Sequence, residues 1–269
     1  MDFVRLGMIF QKLRLLSPHG LVLLSFLTLF LGCSAETIDN DSPPEKQYSE
    51  GERLLKKDRY LEAAERFRIL KSRYPYSKYA ALATLRIGDV HFQEEAYVEA
   101  AAAYKVFREL YPKHETAAYA LYRIGEAQYN EVPSSIDRDL DTATSAIEAY
   151  SRLLKDYPNY EHAADAEKKI KELKRKLAQK EDYIANFYYK RELYQAAAGR
   201  YAVIVDQFSE FGMNRDSLFR LAFSYERMGE YKKALDALSR LDQDFPEGKE
   251  GLDRQNLRKL ITAGLEKTE

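Results

Sequence analysis

Tyr60-Leu-Glu-Ala-Ala-Glu-Arg-Phe67 returns as Tyr97-Val-Glu-Ala-Ala-Ala-Ala-Tyr104 and again as Tyr231-Lys-Lys-Ala-Leu-Asp-Ala-Leu238, each opening fifteen residues before a proline (Pro75, Pro112, Pro246). Ala143 to Tyr150 fits the same frame ahead of Tyr157-Pro158 with its first tyrosine lost, and Tyr194-Gln-Ala-Ala-Ala-Gly-Arg-Tyr201 fits although Ser209 stands at its proline position. Five copies share one packing logic. A small residue (Ala63, Ala100, Ala146, Ala197, Ala234) lets two helices approach, and a bulky one four residues later fills the space beside it. A residue before proline is pushed out of the helical region, so each of these helices should end near its aromatic-proline pair. An earlier helix precedes each one, with Gly51, Gly88 and Gly125, then Ala185 and Ala222, at the crossing.

The pattern resembles the tetratricopeptide repeat, in which small residues hold these two places and proline closes the unit. The resemblance implies an all-α solenoid of five helix pairs. A repeat array needs a polar outer face at its end, so a capping helix is expected near Lys249 to Glu266. The steps from Pro75 to Pro112 and from Ser209 to Pro246 are both 37 residues, whereas Pro112 to Pro158 spans 46. The excess falls between Gln128 and Ala143, where Pro133-Ser-Ser-Ile-Asp-Arg-Asp139 breaks the helical pattern and should form a loop. Between copies three and four, Ala163 to Lys180 lacks proline and glycine and reads as a long connecting helix that sets the angle between two halves.

The first thirty-two residues read as a processing segment: Arg5, Lys12 and Arg14 precede an apolar run from Leu21 to Leu31. A helix from Gly20 to Gly32 would cover only about 20 Å, short of the roughly 30 Å hydrocarbon core. Cys33 is the single cysteine, so no internal disulfide can form. Phe30-Leu31-Gly32-Cys33 resembles the bacterial lipobox, with Phe30 where leucine is usual, which makes Cys33 the expected lipidation site and several acyl chains the membrane anchor. Ser34 after it favours the outer membrane by the same resemblance. Residues 33–46 are poor in apolar side chains and read as a disordered tether. The expected organisation is therefore 1–32 signal, 33–46 tether, 47–162 copies one to three, 163–182 connecting helix, and 183–269 copies four and five with the cap.

Net charge of −1 over 269 residues leaves no footprint for nucleic acid. Glycine-rich phosphate loops and zinc-protease motifs are absent, and no cofactor or metal is expected, which argues against an enzyme. His91 and Glu95 lie one helical turn apart, but His91 falls at a packing position and reads as structural. Seven basic residues between Lys168 and Lys180 read as a solvated face around the stripe Ile170, Leu173, Leu177, with a docking face for an acidic partner or lipid head groups as the sharper alternative.

Taken in order, the lipobox, five copies, Asp137-Arg138-Asp139, Leu173-Lys174-Arg175-Lys176-Leu177-Ala178 and the aromatic helix Tyr183 to Arg191 resemble the BamD family, lipoproteins of the outer-membrane β-barrel assembly (Bam) complex. That resemblance implies a scaffold on the periplasmic face. Its C-terminal copies would hold the POTRA domains of a BamA-like partner, with Arg200 matching a family arginine that faces BamA. Its N-terminal copies would receive unfolded outer-membrane β-barrel proteins, and other Bam lipoproteins would be neighbours. A tetratricopeptide lipoprotein serving pilus or secretin assembly, or cell-envelope coordination, is the other job these residues allow.

In repeats of this class the first helix of each pair lines the concave face. Counting back from each proline places Tyr48 and Leu55 there in copy one, Leu82, Leu85 and Phe92 in copy two, and Tyr119, Tyr122, Glu126, Tyr129 and Asn130 in copy three. They are expected either to form a tyrosine-rich trough for an extended peptide or to pack between neighbouring copies.

Overall fold

The computed structural model describes residues 39–211, 214–246 and 251–268. Among them are eleven α-helices and no strand: α1 (Pro44–Leu55), α2 (Tyr60–Arg73), α3 (Lys78–Gln93), α4 (Tyr97–Leu110), α5 (Ala117–Asn130), α6 (Asp141–Asp156), α7 (Ala163–Tyr189), α8 (Tyr194–Gln207), α9 (Asn214–Arg227), α10 (Tyr231–Asp244) and α11 (Gly251–Thr268). Each packs on its sequence neighbours, which makes a solenoid of five tetratricopeptide-type pairs closed by α11.

The repeated word does the packing expected of it. Ala63, Ala100, Ala146, Ala197 and Ala234 are wholly buried, as are Phe67, Tyr104, Tyr150, Tyr201 and Leu238 four residues on. The first three aromatics lie across Gly51, Gly88 and Gly125, where an added β-carbon would sit 2.5, 2.6 and 2.5 Å from the ring. The second helices of copies one, two, three and five end at Tyr74, Tyr111, Tyr157 and Phe245, whose extended φ values of −129°, −131°, −139° and −137° are what the following proline demands. In copy four, with Ser209 in place of proline, α8 gives way to a 3₁₀ turn over Ser209–Phe211.

Within pairs one, two, four and five the turn uses a left-handed residue two places before the second helix: Asp58, Glu95, Glu192 and Gly229, at φ 56°, 58°, 60° and 76°. The amide of the next residue reaches back five positions, as from Arg59 to the Leu54 carbonyl (3.0 Å) and from Glu230 to that of Tyr225 (2.9 Å). These bonds satisfy carbonyls that a helix end otherwise leaves open.

Two boundaries differ from the sequence reading. The expected tether does not reach residue 46: α1 begins at Pro44, the Gln47 amide donates to the Asp39 carbonyl (2.6 Å), and the Tyr74 hydroxyl donates to that of Ser42 (3.1 Å). Polar residues are held there by polar partners rather than by apolar burial. Nor does a connecting segment end at 182, because α7 runs unbroken for 27 residues. Its N-terminal half (Ala166, Leu173) belongs to the core of copies two and three, while Ala185 belongs to the core of copies four and five. The long helix is thus connector and first helix of copy four at once.

Candidate peptide-binding face and its ionic ladder

The predicted face carries a ladder that the copies build in register. In copies one to four the residue after the crossing glycine or alanine meets a cation from the next first helix, and in copies two to four it also accepts from the second-helix tyrosine of its own copy. Glu52 pairs with Arg86 (2.7 Å). Asp89 accepts the Tyr104 hydroxyl (2.6 Å) and lies 3.9 Å from Arg123, with Arg86 on its other oxygen at 2.7 Å. Glu126 accepts the Tyr150 hydroxyl (2.5 Å) and is bound by Lys169. Asn186 accepts from the Tyr201 hydroxyl (2.8 Å) and from Arg220. Burial, reinforced by the facing carboxylates, pushes the Tyr104 and Tyr150 hydroxyls well above the ordinary phenol range, and burial raises Tyr201 to about 12.

The candidate groove residues sit beside this ladder, and most are already engaged. The Tyr119 hydroxyl donates to Asp89 (2.7 Å), that of Tyr122 to Asp165 (2.8 Å) and that of Tyr129 to Glu172 (2.9 Å). Burial first, then Glu172, lifts Tyr129 to about 12. Tyr122 stacks on His162 with ring centroids 4.7 Å apart, and the Arg123 guanidinium covers Phe92 at 3.6 Å. Tyr48 packs against Phe67 and Tyr79, Leu55 against the first core, and exposed Asn130 donates to the Glu126 carbonyl (2.8 Å). Leu85 is buried, Asn130 is exposed and the others are half-buried. One group nevertheless comes together around open space: Tyr48, Leu82, Leu85 and Tyr119, with Tyr160 and Arg86, line a trough of about 360 Å³. Leu55, Phe92, Tyr122, Tyr129 and Asn130 lie outside it. The trough therefore offers ring faces and aliphatic surface, with Arg86, Glu115 and Glu161 also in its lining.

The other predicted residues divide clearly. Asp139 accepts from the amide of Asp141, the first residue of α6 (2.9 Å), Ser135 donates to Asp137, and the Arg138 carbonyl accepts from Lys180 of α7 (2.9 Å). Lys176 donates to the Pro133 carbonyl, Lys169 binds Glu126, and Arg175 lies 5.9 Å over Phe211. Lys169, Lys176 and Lys180 of the basic run are thus engaged by the fold, while Lys168, Lys171 and Arg175 stay exposed. Arg200 forms a two-oxygen pair with Glu181 of α7 (3.1 and 3.0 Å). His91 faces Glu94 at 3.6 Å, and among the described residues no three acidic, histidine or cysteine side chains gather as metal ligands. Cys33 and the signal lie outside the described residues, within which no helix is long and apolar enough to cross a membrane.

Comparison with known proteins follows this geometry. The family model described as "YfiO: Outer membrane lipoprotein" matches residues 40–241. The outer membrane protein assembly factor BamD of Neisseria meningitidis is 30% identical over 245 residues, 88% of this chain and 92% of that protein. BamD of Vibrio cholerae is 29% identical over 227 residues, 81% of this chain and 92% of that protein. Among solved structures, the TPR2AB domain of yeast Sti1 aligns with 81% of this chain and 98% of its own at 14% identity and a TM-score of 0.40.

Proposed function

This chain belongs to the YfiO family of outer membrane lipoproteins, and from that premise we propose that it is the lipid-anchored scaffold of a β-barrel assembly machine, binding two partners through two separate halves. Its work is outer membrane protein assembly and its place is the outer membrane. The chain acts as a scaffold rather than an enzyme. Copies four and five hold the POTRA domains of a BamA-like partner on the periplasmic face, other Bam lipoproteins dock nearby, and copies one to three receive unfolded barrel proteins. Cys33 carries the anchor.

The observation that carries the division is the partition of the core. Side chains from Leu54 to Val90 form one cluster, those from Ala81 to Leu173 a second and those from Ala185 to Ile261 a third, so no cluster runs from copies one to three into copies four and five. The trough at Tyr48, Leu82, Leu85 and Tyr119 suits an extended strand with alternate apolar side chains, since aromatic walls give large contact at small entropic cost. Affinity is expected on the order of micromolar, because an unfolded ligand gives up chain entropy as it orders.

The test uses the full-length lipoprotein in detergent. Capture of a peptide ending in a barrel-type aromatic strand is measured beside co-purification of the BamA-like partner. Tyr48→Ala with Tyr119→Ala should weaken peptide capture and spare co-purification, and Arg200→Glu should do the reverse. Equal loss of both in stably folded variants would overturn the two-partner reading. Membrane fractionation unchanged by Cys33→Ser would remove the anchor.

A further inference from the structure

The ladder has one rung unlike the others, and it opens onto a cavity. In the first three, the residue after the crossing position is Glu52, Asp89 or Glu126, so the cation from the next first helix meets a carboxylate in place. In the fourth it is Asn186, whose amide oxygen accepts from Arg220 but carries no charge. Arg220 is half-buried, lies 5.7 Å from the Tyr189 ring, and makes no ion pair with a carboxylate among the described residues. The carboxylates of Asp182 and Asp216 act on it only through longer-range attraction, so this half-buried guanidinium lacks a charge-assisted hydrogen bond to a carboxylate, and supplying one is favourable.

In front of this rung lies a cavity of about 580 Å³, walled by Arg220, Asn186, Tyr189, Tyr183, Asp182 and, from the copy-three loop, Ile136. Its one acid is directed elsewhere: Asp182 accepts from the Asn186 amide nitrogen (2.7 Å), and burial raises its pKa despite the nearby Arg220. The cavity continues onto an exposed ridge of α7, where Tyr183 and Phe187 stand four residues apart at 54% and 45% exposure, with the Arg191 guanidinium 3.6 Å over the Phe187 ring. Exposed tyrosine, phenylalanine and arginine beside a pocket are the residue types that dominate binding energy at protein interfaces.

We infer that this cavity docks an acidic side chain, Asp or Glu, of a partner polypeptide, whose carboxylate pairs with Arg220 as the fourth acid of the ladder while its flanking apolar residues lie on Tyr183, Phe187 and Ile136. The ridge beyond the pocket favours a polypeptide over a free small acid, because exposed Phe187 extends the apolar surface of Tyr183 past the cavity, where only a longer ligand can reach. The inference concerns a site apart from the trough of copies one to three, and it stands or falls independently of peptide capture there.

The test uses the full chain in detergent and two fluorophore-labelled blocked peptides, Ala-Phe-Glu-Leu-Ala and Ala-Phe-Gln-Leu-Ala, read by anisotropy, with a photoreactive phenylalanine analogue to map the contact. The Glu peptide should bind at least about tenfold more tightly than the Gln peptide, the scale of a charge-assisted hydrogen bond. Crosslinks should fall on Tyr183, Phe187 or Tyr189. Asn186→Asp supplies the acid from within, as the other rungs do, and should erase the preference without removing cavity or cation; Arg220→Met should erase it from the other side. The inference is overturned by equal binding of the two peptides, absence of binding, a preference that survives Asn186→Asp, or crosslinks confined elsewhere. Competition by propionate as effective as that by the Glu peptide would also overturn it, in favour of a small-acid site.

Discussion

Gly88 lies where α3 crosses α4, and its replacement by alanine gives the sharpest test of the packing logic. A β-carbon there would lie 2.6 Å from Cε1 and 2.7 Å from Cδ1 of Tyr104, against a resting carbon–carbon distance of about 3.5–4.0 Å, so the ring would have to retreat by about 1 Å. It has nowhere to go: Tyr104 is wholly buried and its hydroxyl is fixed on Asp89 at 2.6 Å. Over-packing of this kind costs about 1–3 kcal/mol. Loss of a hydrogen bond to a charged group adds about 1.5–3 kcal/mol. Alanine's better helix propensity returns only about 1 kcal/mol. The expected net is a destabilisation of about 1.5–5 kcal/mol. Gly199 on α8 is the internal control, since nothing lies within 4 Å of its β-position. There the same substitution should stabilise by about 0.5–1 kcal/mol. Urea unfolding followed by circular dichroism, under identical conditions for wild type and both variants, separates the two signs. The reasoning fails if Gly88→Ala unfolds within about 0.5 kcal/mol of wild type, the ordinary scatter of surface substitutions, or if both variants shift the same way.

Glu95→Gly should stabilise by about 0.5–1 kcal/mol, because φ of 58° suits glycine and strains a side chain; a lowered urea midpoint would count against it. Alkaline pH should unfold the chain in step with tyrosinate formation. The folded pKa values of Tyr104, Tyr150, Tyr129 and Tyr201 are raised above the unfolded value of about 10, so their contribution is complete below that pH and is lost as pH climbs toward the folded values. Absorbance titrating smoothly near pH 10 in a chain that stays helical would contradict this. Lys176→Ala with Lys180→Ala removes both bonds that hold the copy-three loop to α7, and trypsin cleavage after Arg138 should accelerate several-fold; an unchanged rate would mean the loop is held by other contacts.

What was legible in the chain was whatever sterics impose locally. Ala100, Tyr104 and Gly88 announce a helix crossing because only small and large residues in that order can make one, and Tyr111-Pro112 announces where the helix must stop. The left-handed turns were not legible, since only Gly229 advertises one while Asp58, Glu95 and Glu192 take the same backbone with side chains that give no such signal. Gly264 also passed unnoticed, although the Tyr231 ring lies against its β-position as other aromatics do in the repeats. The ladder escaped for a different reason. Its partners, such as Glu126 and Lys169, are 43 residues apart in the chain, and the insertion before α6 shifts the spacing between copies. The candidate trough was half legible. Tyr48 and Tyr119 do line one trough, but periodicity says nothing of hydroxyl partners, and Asp165 and Glu172 take those of Tyr122 and Tyr129.

Because α7 is continuous, the rotational register between the two halves is written as a residue count. An α-helix turns about 100° and rises about 1.5 Å per residue. A single residue inserted between Ala178 and Tyr183 would disturb neither core cluster by composition, yet it would swing everything beyond it by more than a quarter turn. Two such insertions, about 200° in all, would carry the later copies just past the opposite side. Drift in this segment is thus constrained by indexing rather than by chemistry: side chains on its outer face are free to change, while its length is not. Two fragments cut to isolate the halves would each need their own copy of the helix, since neither core closes without it.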